Sequence, residues 1–224
     1  MPEFNHRKTI YGYSMNVIIV SFYMSNINPE VVRHQKMVMD KLYPNSNFLQ
    51  ISTQYRHGQS MDLFLFQRKE DIVVFLDIDA IPLTTSSIPK IIEMTENGSK
   101  IAGSPQRSNH IDNNEHIFIA PSTLAISPQL YRDLGCPSAL ETNRGDVAEE
   151  WTYTLEERGG SIAELDLMGF EMEPHGERWY LRGDQIYGLN TTFGINGQEL
   201  FFHAFQGRMA SQQQSFINKC KSIL

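Results

Sequence analysis

Residues 72–82 read Ile72-Val73-Val74-Phe75-Leu76-Asp77-Ile78-Asp79-Ala80-Ile81-Pro82: five apolar residues run into two carboxylates one residue apart. The run is β-branched and aromatic and does not alternate with polar residues. That pattern marks a strand buried on both faces, the habit of parallel strands in α/β folds. In extended chain Asp77 and Asp79 point to the same side. They stand at the carboxyl end of the strand, where open α/β sheets bind their ligands. Two carboxylates so close repel each other unless a hard divalent cation joins them. The expectation is a Mg2+ or Mn2+ site that holds a phosphate-bearing substrate. Against it stands a plainer reading, a strand end that turns polar on reaching solvent.

The chain has 224 residues, enough for one domain with a substantial core. Its 19 basic and 26 acidic residues leave a net charge of −7, and no basic block stands out, so no nucleic-acid footprint is indicated. Cys136 and Cys220 have no metal-binding spacing and read as reduced thiols of a cytoplasmic enzyme. No apolar run approaches the roughly 20 residues needed to cross a membrane. Residues 1–14 are polar, lack the apolar core of a signal peptide, and read as a tail or extension ahead of a domain at 15–224.

In chain order, Asn16–Tyr23 is a first strand, and Asn28-Pro29-Glu30 starts a helix that ends near Tyr43-Pro44. Phe48–Ser52 is a second strand, which completes a βαβ opening. A polar loop at 54–58 leads into a helix from Ser60 to Gln67. Beyond residue 82 the chain offers a helix from Ser86 to Met94 and a strand from Lys100 to Ser104. A polar loop at 105–115 follows, whose His110, like the following His116, reads as a surface residue. Two apolar runs, 117–120 and 124–126, flank Pro121-Ser122, and a helix opens at Ser127-Pro128. Asp146 and Glu149 have capping-box spacing ahead of a helix with the apolar stripe Val147, Trp151, Leu155. Ser161–Leu165 is a further strand, residues 170–185 are irregular, and Trp179 and Tyr180 there suit either sugar stacking or loop packing. Leu200-Phe201-Phe202-His203 is an apolar strand that delivers a histidine, followed by Gly207-Arg208 and a terminal helix at 211–224.

Val74 to Leu83 resembles the D-x-D segment of GT-A glycosyltransferases, notably the small bacterial and viral ones. The resemblance extends as an ordering of segments over about residues 15–210 and is specific at 72–83, 144–159 and 200–208. It implies a single α/β domain: a Rossmann-like, mostly parallel central sheet flanked by helices. It implies transfer of a hexose from a nucleotide sugar, UDP-hexose foremost and GDP-sugars next, to a hydroxyl of a glycan, lipid-linked sugar or protein. By the same resemblance Asp77 and Asp79 hold Mn2+ or Mg2+ together with His203, and Arg208 answers the diphosphate. Ser21, Phe22 and Tyr23 then end the strand that meets the nucleotide base. His57 and Asp62, in the H-G-x-x-x-D segment, fall on the donor side, where Arg56 could answer a phosphate. Sugar hydroxyls are poor nucleophiles, so direct displacement needs a carboxylate base. Asp146 is the first choice, with Glu149 and Glu150 open.

Three rivals stand beside this reading. A haloacid-dehalogenase phosphatase would continue its D-x-D with Gly-Thr, where this chain has Ala80-Ile81. A nucleotidyltransferase would show a Gly-rich basic loop near its start and would give His203 no task. A catalytically inactive nucleotide- or carbohydrate-binding domain could keep the same residues.

Overall fold

The computed structural model describes residues 8–10, 13–108, 115–171 and 178–224. Strands β1 (Lys8–Ile10) and β2 (Tyr13–Met15) pair antiparallel, so part of the expected tail is a hairpin. Then come β3 (Val17–Tyr23), α1 (Pro29–Leu42), β4 (Phe48–Ser52), α2 (His57–Phe66), β5 (Ile72–Leu76), β6 (Ala80–Pro82), α3 (Ser87–Met94), β7 (Ala102–Arg107) and β8 (Ile117–Ile126). The second half holds α4 (Pro128–Asp133), α5 (Glu149–Glu157), β9 (Ala163–Glu164), β10 (Asp166–Phe170), β11 (Arg178–Tyr180), β12 (Ile186–Gly188), β13 (Thr191–Ile195), β14 (Gln198–His203) and α6 (Ala210–Ile223).

The central sheet has the order β4-β3-β5-β8-β7-β9. Its β4–β3, β3–β5 and β7–β9 pairs are parallel, while β8 runs antiparallel to both β5 and β7. The sheet is thus mixed, with parallel pairs in the majority. A second, antiparallel sheet has the order β10-β13-β14-β6. The chain steps from one sheet to the other between β5 and β6, at residues 77–79.

β5 is buried along its whole length, and its two faces serve two cores. Val73 and Phe75 pack with Met61, Leu65, Trp151 and Leu155 from α2 and α5. Ile72, Val74 and Leu76 pack with Ile88, Ile91 and Ile92 of α3 and with Phe193 and Phe201 of the second sheet. Each such side chain contributes about 1.5–3 kcal/mol by leaving water, which is why this strand tolerates no polar residue before Asp77. A third cluster joins α1 to α6 through Val31, Val38, Phe216, Ile217 and Cys220.

Local chemistry sets most boundaries. The Asn28 side chain accepts from the Glu30 N–H at 3.0 Å, and Pro29 follows it, so α1 starts where its cap dictates. α2 begins at His57, a turn earlier than Ser60, because the Arg56 carbonyl accepts the Ser60 N–H. The two apolar runs around Pro121 are one strand, β8. Its register against β7 shifts between Gly103 and Pro105, so Pro121 falls in an irregularity where no ladder donor is required. β7 continues to Arg107, into the expected loop; residues 109–114, with His110, lie outside the described residues. Of the strand expected at Ser161–Leu165 only Ala163–Glu164 pairs with β7. Within the stretch expected to be irregular, residues 178–180 pair with β12, and residues 172–177 lie outside the described residues.

The capping-box expectation needs correction. α5 starts at Glu149, and Ala148 before it sits in the left-handed region at φ 65°, so Asp146 is not its cap. Half of the box survives, since the Glu149 side chain accepts the Asp146 N–H at 2.7 Å. Cys136 and Cys220 are both unpaired thiols. Among the described residues no helix is long and apolar enough to cross a membrane.

Candidate metal centre and its cavity

Asp77 and Asp79 lie on a tight turn, not on extended strand. The Ala80 N–H donates to the Asp77 carbonyl at 3.0 Å and closes the turn. The Asp77 N–H donates to the Ser122 carbonyl of β8, and the Ala204 N–H to the Asp79 carbonyl. The expected same-side alternation is thereby corrected: β5 stops at Leu76 because the chain must reach β6 in the other sheet. The acids still converge, through the turn. His203 ends β14 directly opposite Ala80. One ligand atom from each of Asp77, Asp79 and His203 lies within 4.8 Å of the other two. The His203 Nε2 is 3.4 Å from an Asp79 oxygen and 3.9 Å from an Asp77 oxygen. The His57 Nε2 lies 3.4 Å from the other Asp77 oxygen.

The electrostatics are those of unresolved crowding. Burial raises the pKa of Asp77; Asp79 adds to the rise, and His57 and His203 oppose it. For His203, burial works against the charged ring, but the carboxylates of Asp79 and Asp77 outweigh it and hold the pKa above the ordinary value. The His203 Nδ1 is buried without a hydrogen-bond partner, so the ring is placed for what its Nε2 faces. A Cβ on Gly207 would fall 2.1 Å from the Asp79 Oδ2, so only glycine lets the backbone lie against that carboxylate. Two carboxylates and one imidazole, gathered on one side, fit a divalent cation of the Mn2+ or Mg2+ kind.

The turn lies in the wall of a cavity of about 780 Å3. Phe22 and Tyr23 at the end of β3, Thr53 to Tyr55 beyond β4, and Arg56 with His57 at the start of α2 line one part. Leu140, Glu141 and Val147 line another, and Gln206 to Met209, ahead of α6, a third. Both α2 and α6 start without a side-chain cap; Arg56 stands at the start of α2 and Arg208 just ahead of α6. Helix starts carry partial positive charge and point N–H groups outward.

Of the residues singled out from sequence, Phe22, Tyr23, Arg56, His57, Asp77, Asp79, Gly207 and Arg208 line this cavity. Ser21 does not; it is fully buried, and its hydroxyl donates to the Leu76 carbonyl at 2.7 Å, tying β3 to β5. Asp62 does not either. Its carboxylate accepts from the Ala139 N–H at 3.0 and 2.9 Å, from Ser138 and from Tyr131, and so pins residues 138–139. Burial raises its pKa in that setting. Asp146, Glu149 and Glu150 are also absent from the cavity lining. An Asp146 oxygen accepts the Val147 N–H, Glu149 meets His116 at 2.7 Å, and Glu150 pairs with Arg144. His116 is correspondingly no simple surface residue: it bridges Glu149 and Glu156 and stacks on Tyr153 at 3.7 Å. Trp179 packs on Tyr187 and Phe205, each at 5.5 Å, which is loop packing. Sequence reasoning passed over Glu141, the other carboxylate of the cavity lining; no spacing or periodicity marks it.

No family model matches the chain, and no curated protein matches it. Among solved structures, a mannosyltransferase from Pyrobaculum calidifontis, in complex with GDP-Man and Mn2+, is 11% identical with a TM-score of 0.48; the match covers 68% of this chain and 55% of that one. This chain thus spans about half of the mannosyltransferase. The 2-C-methyl-D-erythritol 4-phosphate cytidylyltransferase from Thermus thermophilus is 11% identical at 0.42, with 72% and 94% covered. A197 from STIV is 13% identical at 0.44, with 62% and 78% covered. The matched structures therefore include both glycosyltransferases and a nucleotidyltransferase. With these TM-scores below 0.5, what the chain does rests on its own site.

Proposed function

We propose that this chain is a metal-dependent transferase that moves a hexose from a nucleotide sugar, UDP-hexose foremost, to a hydroxyl of a carbohydrate or glycosylated acceptor. One observation carries the reading: Asp77 and Asp79 converge with the buried His203 and line a cavity that Arg56, at the start of α2, and Arg208, just ahead of α6, also line. A cavity of about 780 Å3 is of the size that takes such a small molecule. Asp77, Asp79 and His203 would hold Mn2+ or Mg2+, which when bound supplies Lewis-acid stabilisation to a diphosphate. Arg56, Arg208 and the first N–H groups of α2 take up the charge of the departing nucleotide. Tyr55, exposed in the cavity lining, is the aromatic ring open to the base, with the core residue Phe22 at the cavity edge. Glu141 is the carboxylate best placed to accept the proton of the acceptor hydroxyl. Asp146, one residue before the cavity-lining Val147, is the second choice, and Glu149 and Glu150 take the structural part.

The test is thermal stability with UDP-, GDP-, CMP- and dTDP-sugars, each with Mn2+ and with EDTA. A ligand that binds only the folded state raises the melting temperature. The expected outcome is a rise with one nucleotide class, present with Mn2+, absent with EDTA and lost in Asp79→Ala. Equal shifts with EDTA, or none with any nucleotide, would overturn the reading. Stabilisation by CTP with pyrophosphate release would reassign the site to a nucleotidyltransferase.

A further inference from the structure

Behind the two acids sits a buried amide. Gln35, on the inner face of α1, is 0% exposed. Its Nε2 donates to the Asp77 carbonyl at 2.7 Å and to the Ala80 carbonyl at 2.9 Å. These two carbonyls bracket the turn that carries both acids. The Gln35 Oε1 in turn accepts from the Gln50 Nε2 of β4 at 2.9 Å, and the same Gln50 nitrogen donates to the Val32 carbonyl at 2.9 Å. Each amide hydrogen therefore has an acceptor. The orientation is also fixed, because a flipped Gln35 would set its oxygen against two carbonyl oxygens.

The surroundings make an amide here costly unless its bonds matter. Val31, Val38 and Met39 on the same helix face are apolar and fully buried, and an apolar residue at 35 would fill the space without the cost of desolvating an amide. The turn has a force to resist: its two carboxylates repel each other, and burial amplifies the repulsion. We propose that Gln35, oriented by Gln50, is a positioning residue that holds the 77–80 turn where Asp77 and Asp79 converge on His203. This rests on the metal-site reading above. It adds that the geometry of the cation site is set from α1 and β4, by residues that touch neither cation nor substrate.

Gln35→Met keeps the length of the side chain and removes every donor. Titration of Mn2+ followed by its paramagnetic resonance signal is expected to show affinity lower by about 10–100-fold, the usual cost of losing a partner that orients a metal ligand. Gln50→Met, which leaves Gln35 in place without its orienting bond, is expected to move affinity in the same direction by less. Ile91→Val, a core change in α3, serves as the stability control and is expected to leave affinity unaltered. A second readout needs no metal: the imidazole 15N shifts of His203 are expected to move in Gln35→Met and to stay put in Ile91→Val. Wild-type Mn2+ affinity in folded Gln35→Met and Gln50→Met would overturn the proposal. If Gln35→Met does not fold, Gln50→Met decides. Failure of the wild-type protein to bind Mn2+ would refute the metal-site reading separately; unchanged His203 shifts in the glutamine variants would then refute the positioning role as well.

Discussion

Two groups of acids in this molecule solve the same electrostatic problem in opposite ways. Along α5 each carboxylate has a cationic or hydrogen-bonding partner inside the chain. Glu149 and Glu156 share His116, Glu150 and Glu157 share Arg144, and Glu149 also accepts the Asp146 N–H. At the 77–80 turn Asp77 and Asp79 face each other and two histidines at 3.4–3.9 Å, and among the described residues no lysine or arginine forms an ion pair with either. The α5 carboxylates are tied into hydrogen-bonded pairs at 2.7–3.1 Å, two acids to each cation. The acids of the turn make only the longer histidine contacts, beside a cavity. The difference separates acids that hold the fold from acids that wait for something to bind, which residue type alone does not do.

The contrast can be broken most forcefully at Asp79. Asp79→Ala is expected to lower transfer activity by about 1000-fold or more, while the melting temperature holds or rises as the repulsion goes. A large drop in melting temperature would mean that this acid, too, is structural. Glu149→Ala should do the reverse to stability. Glu149 is fully buried and accepts from the Asp146 N–H beside a part-buried His116, and losing that acceptor is expected to cost about 1–3 kcal/mol, read by urea denaturation; no measurable loss would sink the assignment. Gly207→Ala sharpens the other side, because its Cβ would collide with the Asp79 Oδ2. We expect weakened Mn2+ binding and a stability cost of about 1–3 kcal/mol for the shift the backbone must make.

His116 gives the α5 group a pH signature. Burial lowers its pKa, but the bonds to Glu149 and Glu156 outweigh burial and raise it. The charged ring therefore stabilises the fold fully below the ordinary value of 6.5 and progressively less as pH rises through the raised value. Melting temperature should decline across that window in the wild type, and the decline should flatten in His116→Gln; identical profiles would count against the bridge. Arg144→Ala closes the series. Arg144 pairs with Glu150 and Glu157 and lies over the Tyr153 ring at 4.5 Å, but its side chain is 45% exposed. Solvent screening holds the expected loss to about 1 kcal/mol or less.

What could be read from sequence divides along the same line. β5, β4 and the start of α1 were legible because a run of apolar residues or a local cap determines them. The acid pair was legible as a pair but not as a turn, because the turn exists only to carry the chain to β6 and its partner β14, more than a hundred residues on. Asp62 looked like a ligand-side residue because its acceptor role depends on the Ala139 N–H, 77 positions away. Glu141 had no local mark at all. The onset of α5 was misplaced because alanine is a residue from which a left-handed φ is not expected, and Ala148 has one. Reading His203 as a ligand leaned on family resemblance, since a histidine ending an apolar strand is ordinarily core.

The pairing of β14 with β6 has a consequence for biosynthesis. The cation site draws Asp77 and Asp79 from the first half of the chain, but His203 and the close-fitting Gly207 come near its far end. A ribosome that has released residues through Glu164 has made all six strands of the central sheet and both acids, without His203. Under the proposed reading, cation affinity would wait for β14, which brings His203 to the two acids. On that reading, a chain truncated between residues 165 and 202 would keep the first core and lack the third ligand, His203.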